Sequence, residues 1–257
     1  MLRSLPIALA LLASPAFAAD YRLIAGGRFA SALPGDDKAA DVIVAPFLLR
    51  TTPVTNAEFQ RFVIAHSQWQ RDRVAPVFAE PQYLARWSMA TALGEALRPN
   101  QPVTQVSWFS ARAFCAGEGA RLPSWNEWEF AAAADATRSD ARGDPAWRER
   151  ILSWYSRPAT SDLPSVGGAP NLYGVRDLHG LVWEWVDDFN ALLVASDSRD
   201  QNDPDRLKFC GAGALSIRDL DNYAVLMRIA MMSSLKAANT TISVGFRCAR
   251  TEPGAKP

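Results

Sequence analysis

Residues 171–188 constrain the fold of this chain more than any other stretch. The run Asn171-Leu-Tyr-Gly-Val-Arg-Asp-Leu-His-Gly-Leu-Val-Trp-Glu-Trp-Val-Asp-Asp188 places two Gly, two Trp, one of the protein's two His and four acidic residues in eighteen positions. That pattern follows neither the period of an amphipathic helix nor a strict strand alternation. Two readings are open. In one, a His179-Gly180 turn leads into a half-buried strand, with Trp183 and Trp185 sharing a face and Glu184 in solvent. In the other, Asp177 and Glu184 supply carboxylates while carbonyls at Gly180 and Val182 turn inward between them, a mixture that suits hard cations.

The N-terminus sets the expected compartment. Arg3 gives a positive start, Leu5 to Leu12 an apolar core, and Ala16-Phe17-Ala18 a small-x-small cleavage site; residues 1–18 therefore read as a secretory signal peptide, too short for a membrane span. The expected product is exported, periplasmic if the signal is bacterial, and free of a later membrane span. Residues 19–257 have the length of one large domain, with enough apolar content to bury a core. Lys plus Arg equals Asp plus Glu at 27 each and no basic stripe is present, so nucleic acid is a poor partner. Three Cys in an exported chain allow one internal disulfide and one leftover thiol, and spacing does not say which two pair.

Local signals place the elements. Tyr21 to Phe29 reads as a strand with a Gly-Gly bend, Leu33 to Asp37 as a loop and Val42 to Leu49 as a second strand. Thr55-Asn-Ala-Glu58 and Ser124-Trp-Asn-Glu127 are capping boxes, predicting helices from about Asn56 to Ala65 and from Trp125 to about Ala134. Ser107 caps a helix over Trp108 to Glu118, after a short strand at Pro102 to Ser107. Gln68 to Pro99 is expected to be a long loop with one short helix, and Asp135 to Pro170 mainly loop. Asn190 to Asp205 reads as polar loop and Lys208 to Ala214 as a Gly-bearing strand. Asn222 to Lys236 mixes helical and strand signals, and Val244 to Ala249 is a terminal strand.

Five blocks in order resemble the formylglycine-generating enzyme, or sulfatase-modifying factor, superfamily. They are Pro53-Val-Thr-Asn-Ala-Glu-Phe59, Val106-Ser-Trp-Phe-Ser-Ala111, Arg121-Leu-Pro-Ser-Trp-Asn-Glu-Trp-Glu-Phe-Ala131, Asn171 to Trp185, and Gly245-Phe-Arg-Cys-Ala249. The resemblance spans roughly Leu23 to Arg250 and implies a single α+β domain with little regular secondary structure, distantly similar to C-type lectins. It also implies a structural calcium held by Asp177, Gly180, Val182 and Glu184, and a Cys115–Cys248 disulfide with Cys210 left over. His179, beside the calcium positions, is expected to be structural.

The chain departs from the family where its copper(I) chemistry is expected. Counting back from Cys248 without gaps, the two copper cysteines fall near Asp219 and Ala224, and neither side chain is a soft ligand. Met227, Met231 and Met232, with Cys210 on the preceding strand, offer an alternative soft-metal cluster or simply core filling. The three metal His of the sulfoxide synthase branch are missing. Export and absent copper thiols are shared with the pyoverdine-maturation proteins, an analogy that assigns no residue.

The expectation is an exported, monomeric oxidative maturation factor for a peptide or protein substrate, with an unidentified redox metal. Cys210, Arg228 and Ser233 are its candidate catalytic residues, with Arg228 orienting a carboxylate or stabilising developing negative charge. The alternative is a non-catalytic binding or assembly scaffold on the same fold.

Overall fold

Each of the first three helices begins where a side chain can satisfy its free amides. Thr55 accepts from Glu58 N and the Glu58 carboxylate returns to Thr55 N, starting α1 (Asn56–Ala65). Ser107 caps α2 (Trp108–Gly117), and the Ser124–Glu127 box starts α3 (Trp125–Ala132). The computed structural model describes residues 19–32, 41–190, 223–252 and 254. The expected signal peptide, the Leu33 to Asp37 loop, Cys210, the Lys208 to Ala214 strand and Asp219 lie outside the described residues, as does all of the Asn190 to Asp205 loop beyond Asn190.

Short strands complete an α+β domain. β1 (Tyr21–Ile24) and β4 (Phe47–Arg50) pair antiparallel, and β7 (Ala249–Thr251) adds to β4, giving the order β1-β4-β7. β2 (Gly27–Phe29) pairs antiparallel with β3 (Val42–Val44), and β5 (Trp183–Trp185) pairs parallel with β6 (Val244–Phe246). The two long strand runs read from sequence are each divided. Val42 to Leu49 breaks at Ala45-Pro46, because its halves pair with different partners. Val244 to Ala249 breaks at Arg247-Cys248, where the chain leaves β5 for β4.

Other expectations need correction. Pro102 to Ser107 forms an isolated bridge to Thr55 and no strand: Val103 N donates to Val54 O, Gln105 N to Thr241 O, and Gln105 sits at φ +56°, so no single neighbour can continue a ladder. The predicted loop after Asp135 contains α4 (Pro145–Tyr155), capped by Asp144 with Pro145 in its first turn. Trp147 and Ile151, four residues apart, form its buried face. In the Gln68 to Pro99 segment the helical piece is a 3₁₀ turn, Ser67–Trp69. The ambiguous C-terminal run is helical, α5 (Tyr223–Ser233), and packs on α4.

The core joins these pieces through aromatic rings. Phe59 of α1 contacts Phe62, Trp87, Phe114 and Phe246 at centroid separations of 5.3–6.4 Å. Gly245 lets β6 approach closely, since a Cβ there would lie 2.7 Å from the Val103 carbonyl. Arg50, 2% exposed, binds both Glu58 of α1 and Glu118 after α2. Cys115 of α2 and Cys248 between β6 and β7 form the disulfide that the resemblance implied, with Cα atoms 5.5 Å apart and a sequence separation of 133. A loop that long contributes on the order of 4–5 kcal/mol in the chain-entropy treatment. Replacing both cysteines with Ala should lower the unfolding free energy by about 3–5 kcal/mol in denaturant titrations; a loss below about 1 kcal/mol would show that the bond adds little to the packed core.

Candidate functional site

The 171–188 run starts near the surface and enters the core from Leu181 onward, and of its four acidic residues only Glu184 is buried. Glu184 on β5 is 0% exposed, so it is neither the solvent-facing residue of the strand reading nor an open metal ligand. Its Oε1 accepts from Arg247 Nη2 at 2.7 Å; its Oε2 accepts from Arg247 Nε at 2.8 Å and from Trp128 Nε1 at 2.8 Å. Arg247 is equally buried, and its remaining N–H groups reach the carbonyls of Arg50, Thr51 and Arg176. Guanidinium and carboxylate thus meet in the planar two-bond geometry that matches them best, with no donor of Arg247 wasted.

Asp177, the other carboxylate of the expected calcium set, is engaged elsewhere. Asp177 adopts φ +60°, and its carboxylate accepts from Gly167 N at 2.7 Å and Gly168 N at 3.0 Å, clasping the preceding loop. Gly168 is needed there, because a Cβ would lie 2.6 Å from Asp177 Oδ1. Among the described residues no three His, Cys, Asp or Glu side chains gather as a metal site. Both carboxylates of the set Asp177, Gly180, Val182 and Glu184 are thus engaged by protein donors, and Glu184 is paired with a guanidinium, which leaves little charge to repay dehydrating a divalent cation, so the set is a poor fit for calcium in this structure.

Arg228 of α5 sits directly against this pair. Its Nη2 donates to the Glu184 carbonyl at 2.6 Å, and its guanidinium lies 3.5 Å from the Trp128 ring centroid and 5.7 Å from that of Trp125. Burial pulls its pKa down to about 10, against the attraction of Glu184. At 1% exposure it presents no open face to a substrate carboxylate. Ser233 donates its hydroxyl to the Ile229 carbonyl one turn back, a helix back-bond. Met232 is fully buried, Met231 partly buried and Met227 36% exposed, so the three do not converge on one face.

His179 is structural, as expected. Its Nε2 faces the Ala132 carbonyl at 2.9 Å, and its ring packs edge-on against Trp128 and Trp147. Burial holds its pKa near 4, with Arg228 and Arg247 adding to the depression. Glu129, one turn from Trp125 on α3, is a second buried carboxylate, whose pKa is raised by burial despite bonds from Ser31, Ala32, Trp125 and Arg142.

Arg247, Trp128 and Glu129 were not singled out in the sequence. A signal was present: Val182-Trp-Glu-Trp-Val186 and Gly245-Phe-Arg-Cys-Ala249 each enclose one charge in apolar neighbours, and charges so placed are buried only when paired.

Comparison with known proteins assigns the family. Residues 13–252 match the sulfatase-modifying factor enzyme 1-like domain, and the chain belongs to that family. It is 29% identical to the formylglycine-generating enzyme of Streptomyces coelicolor, over 87% of this chain and 85% of the relative. It is 31% identical to the inactive C-alpha-formylglycine-generating enzyme 2 of Mus musculus, over 59% of this chain and 61% of the relative. It is also 31% identical to the hercynine oxygenase of Mycolicibacterium thermoresistibile, over 60% of this chain but 38% of the relative.

Two outcomes follow from this geometry. Adding a calcium chelator to the purified protein should leave its melting temperature unchanged, whereas a fall of several degrees would restore Asp177 and Glu184 as ligands. Below the unfolded pKa of His179, near 6.5, the unfolded chain takes up a proton that the folded chain refuses until about pH 4. Stability should therefore fall with pH across that window, by on the order of 3 kcal/mol from this residue. His179→Gln should flatten that part of the profile in urea titrations at successive pH values, and an unchanged slope would rule the assignment out.

Proposed function

We propose that this member of the sulfatase-modifying factor family is an exported oxidative maturation factor for a peptide or protein substrate, working by a route other than copper-dithiolate chemistry. One observation carries the mechanistic part. The sequence holds three cysteines, and Cys115 is joined to Cys248. Cys210 is the one thiol left, so the chain cannot supply two thiolates to one copper ion. Support for oxidation comes from the relatives named formylglycine-generating enzyme and hercynine oxygenase. Export, to a periplasm in a bacterial cell, is supported by the apolar leader and its Ala16-Phe17-Ala18 site, and by a disulfide suited to an oxidising compartment.

Within this reading Cys210 is the remaining catalytic candidate, since Arg228 and Ser233 are committed to internal bonds. Arg228 ties α5 to β5, and Ser233 closes a bond within α5. The same commitment favours a second reading, in which the fold serves as a binding or assembly scaffold, and the similarity to an inactive paralogue accords with it.

Titration of the mature protein with copper(I) and with iron(II) separates the two. The oxidative reading expects one of these metals to bind with a Kd of about 1 μM or tighter, and Cys210→Ser to weaken it at least tenfold. Absence of binding to both metals, together with no oxygen uptake by the wild-type protein, would leave the scaffold reading in its place.

A further inference from the structure

A narrow void of about 10 Å³ lies between α3, α4, α5 and the turn at His179, bordered by Trp128, Glu129, Tyr155, His179 and Arg228. Two of the residues that border it each carry a buried polar atom with no hydrogen-bond partner, His179 Nδ1 and Arg228 Nε. The chemistry of each is fixed by its other contacts. The Ala132 carbonyl only accepts, so His179 Nε2 carries the ring proton and Nδ1 presents a lone pair. Arg228 Nε–H only donates. One atom thus needs a donor and the other an acceptor, and both are sealed from bulk solvent.

We propose that this void is a binding site for a single water molecule, which accepts from Arg228 Nε–H and donates to His179 Nδ1. A water needs roughly 10–15 Å³ of free volume and two to four polar partners; the void is at the lower end of that range, and the two unpartnered atoms on its lining residues supply the minimum number of partners. Charge and valence exclude the nearest rivals. A metal cation would face the Arg228 guanidinium, and chloride has no proton to offer the Nδ1 lone pair. The bridge ties α5 to the turn that precedes β5, so the C-terminal helix is fixed to the centre of the molecule at two points, the Glu184 carbonyl and the water. Without it two buried groups would forfeit their hydrogen bonds, at a cost that packing alone does not return.

Oxygen-17 relaxation dispersion of the full mature protein counts long-lived internal waters in solution. The comparison is with Ala133→Val, whose added methyl groups enter the void while His179 and Arg228 stay unchanged. The variant should lose one long-lived water per molecule and melt at a lower temperature. A crystal structure of the wild type should show a peak within about 3.2 Å of both atoms. An unchanged water count in the variant, or a dry void in the crystal, would overturn the proposal. So would a higher melting temperature for Ala133→Val, the result expected from filling an apolar hole.

Discussion

The structure depends on one buried ion pair. Glu184 and Arg247 are both 0% exposed, and taking two such charges out of water costs several kcal/mol each before any attraction is counted. The cost is offset because the pair is bidentate and every spare hydrogen-bonding direction is used: Trp128 completes the carboxylate, and the Arg50, Thr51 and Arg176 carbonyls complete the guanidinium. Those partners come from α3, the end of β4, the 171–188 run and the β6–β7 link. Parallel pairing of β5 with β6 brings the two charges together, and the disulfide one residue beyond Arg247 anchors that link to α2. A chain with so little regular secondary structure thereby gains a fixed centre.

Much of this frame was legible in the residues, and the illegible parts have physical causes. The capping boxes at Thr55 and Ser124 and the Ser107 cap declare helix starts because those bonds are local, three residues apart. α4 was missed because its apolar face is two residues, Trp147 and Ile151, inside a segment otherwise dominated by Arg and Asp; the Asp144-Pro145 start was its one plain signal. Strand ends at Pro46 and Arg247 depended on partners far away in sequence, which periodicity cannot supply.

The candidate site shows the same division. Reading the acidic residues of 171–188 as a cation cage treated Glu184 as available, whereas a residue 63 positions later had already claimed it. Arg228 was expected among the catalytic residues, and its setting against two Trp rings makes it a strut in this structure. What the family resemblance conveyed well was the frame, because the five motif blocks hold the three helix caps, one half of the disulfide and both members of the buried pair. Cys210 lies in none of those blocks, and a chain can keep the frame while changing its chemistry.

The central claim is that Glu184 and Arg247 hold the fold together by acting on each other. A double-mutant cycle with Glu184→Gln, Arg247→Gln and the double variant, read by urea unfolding with the disulfide intact, measures that coupling directly. The account predicts each single variant to lose about 3–5 kcal/mol and the pair to be coupled by more than about 1.5 kcal/mol, because either partner alone leaves a buried charge uncompensated. Additive losses, with coupling below about 0.5 kcal/mol, would contradict it.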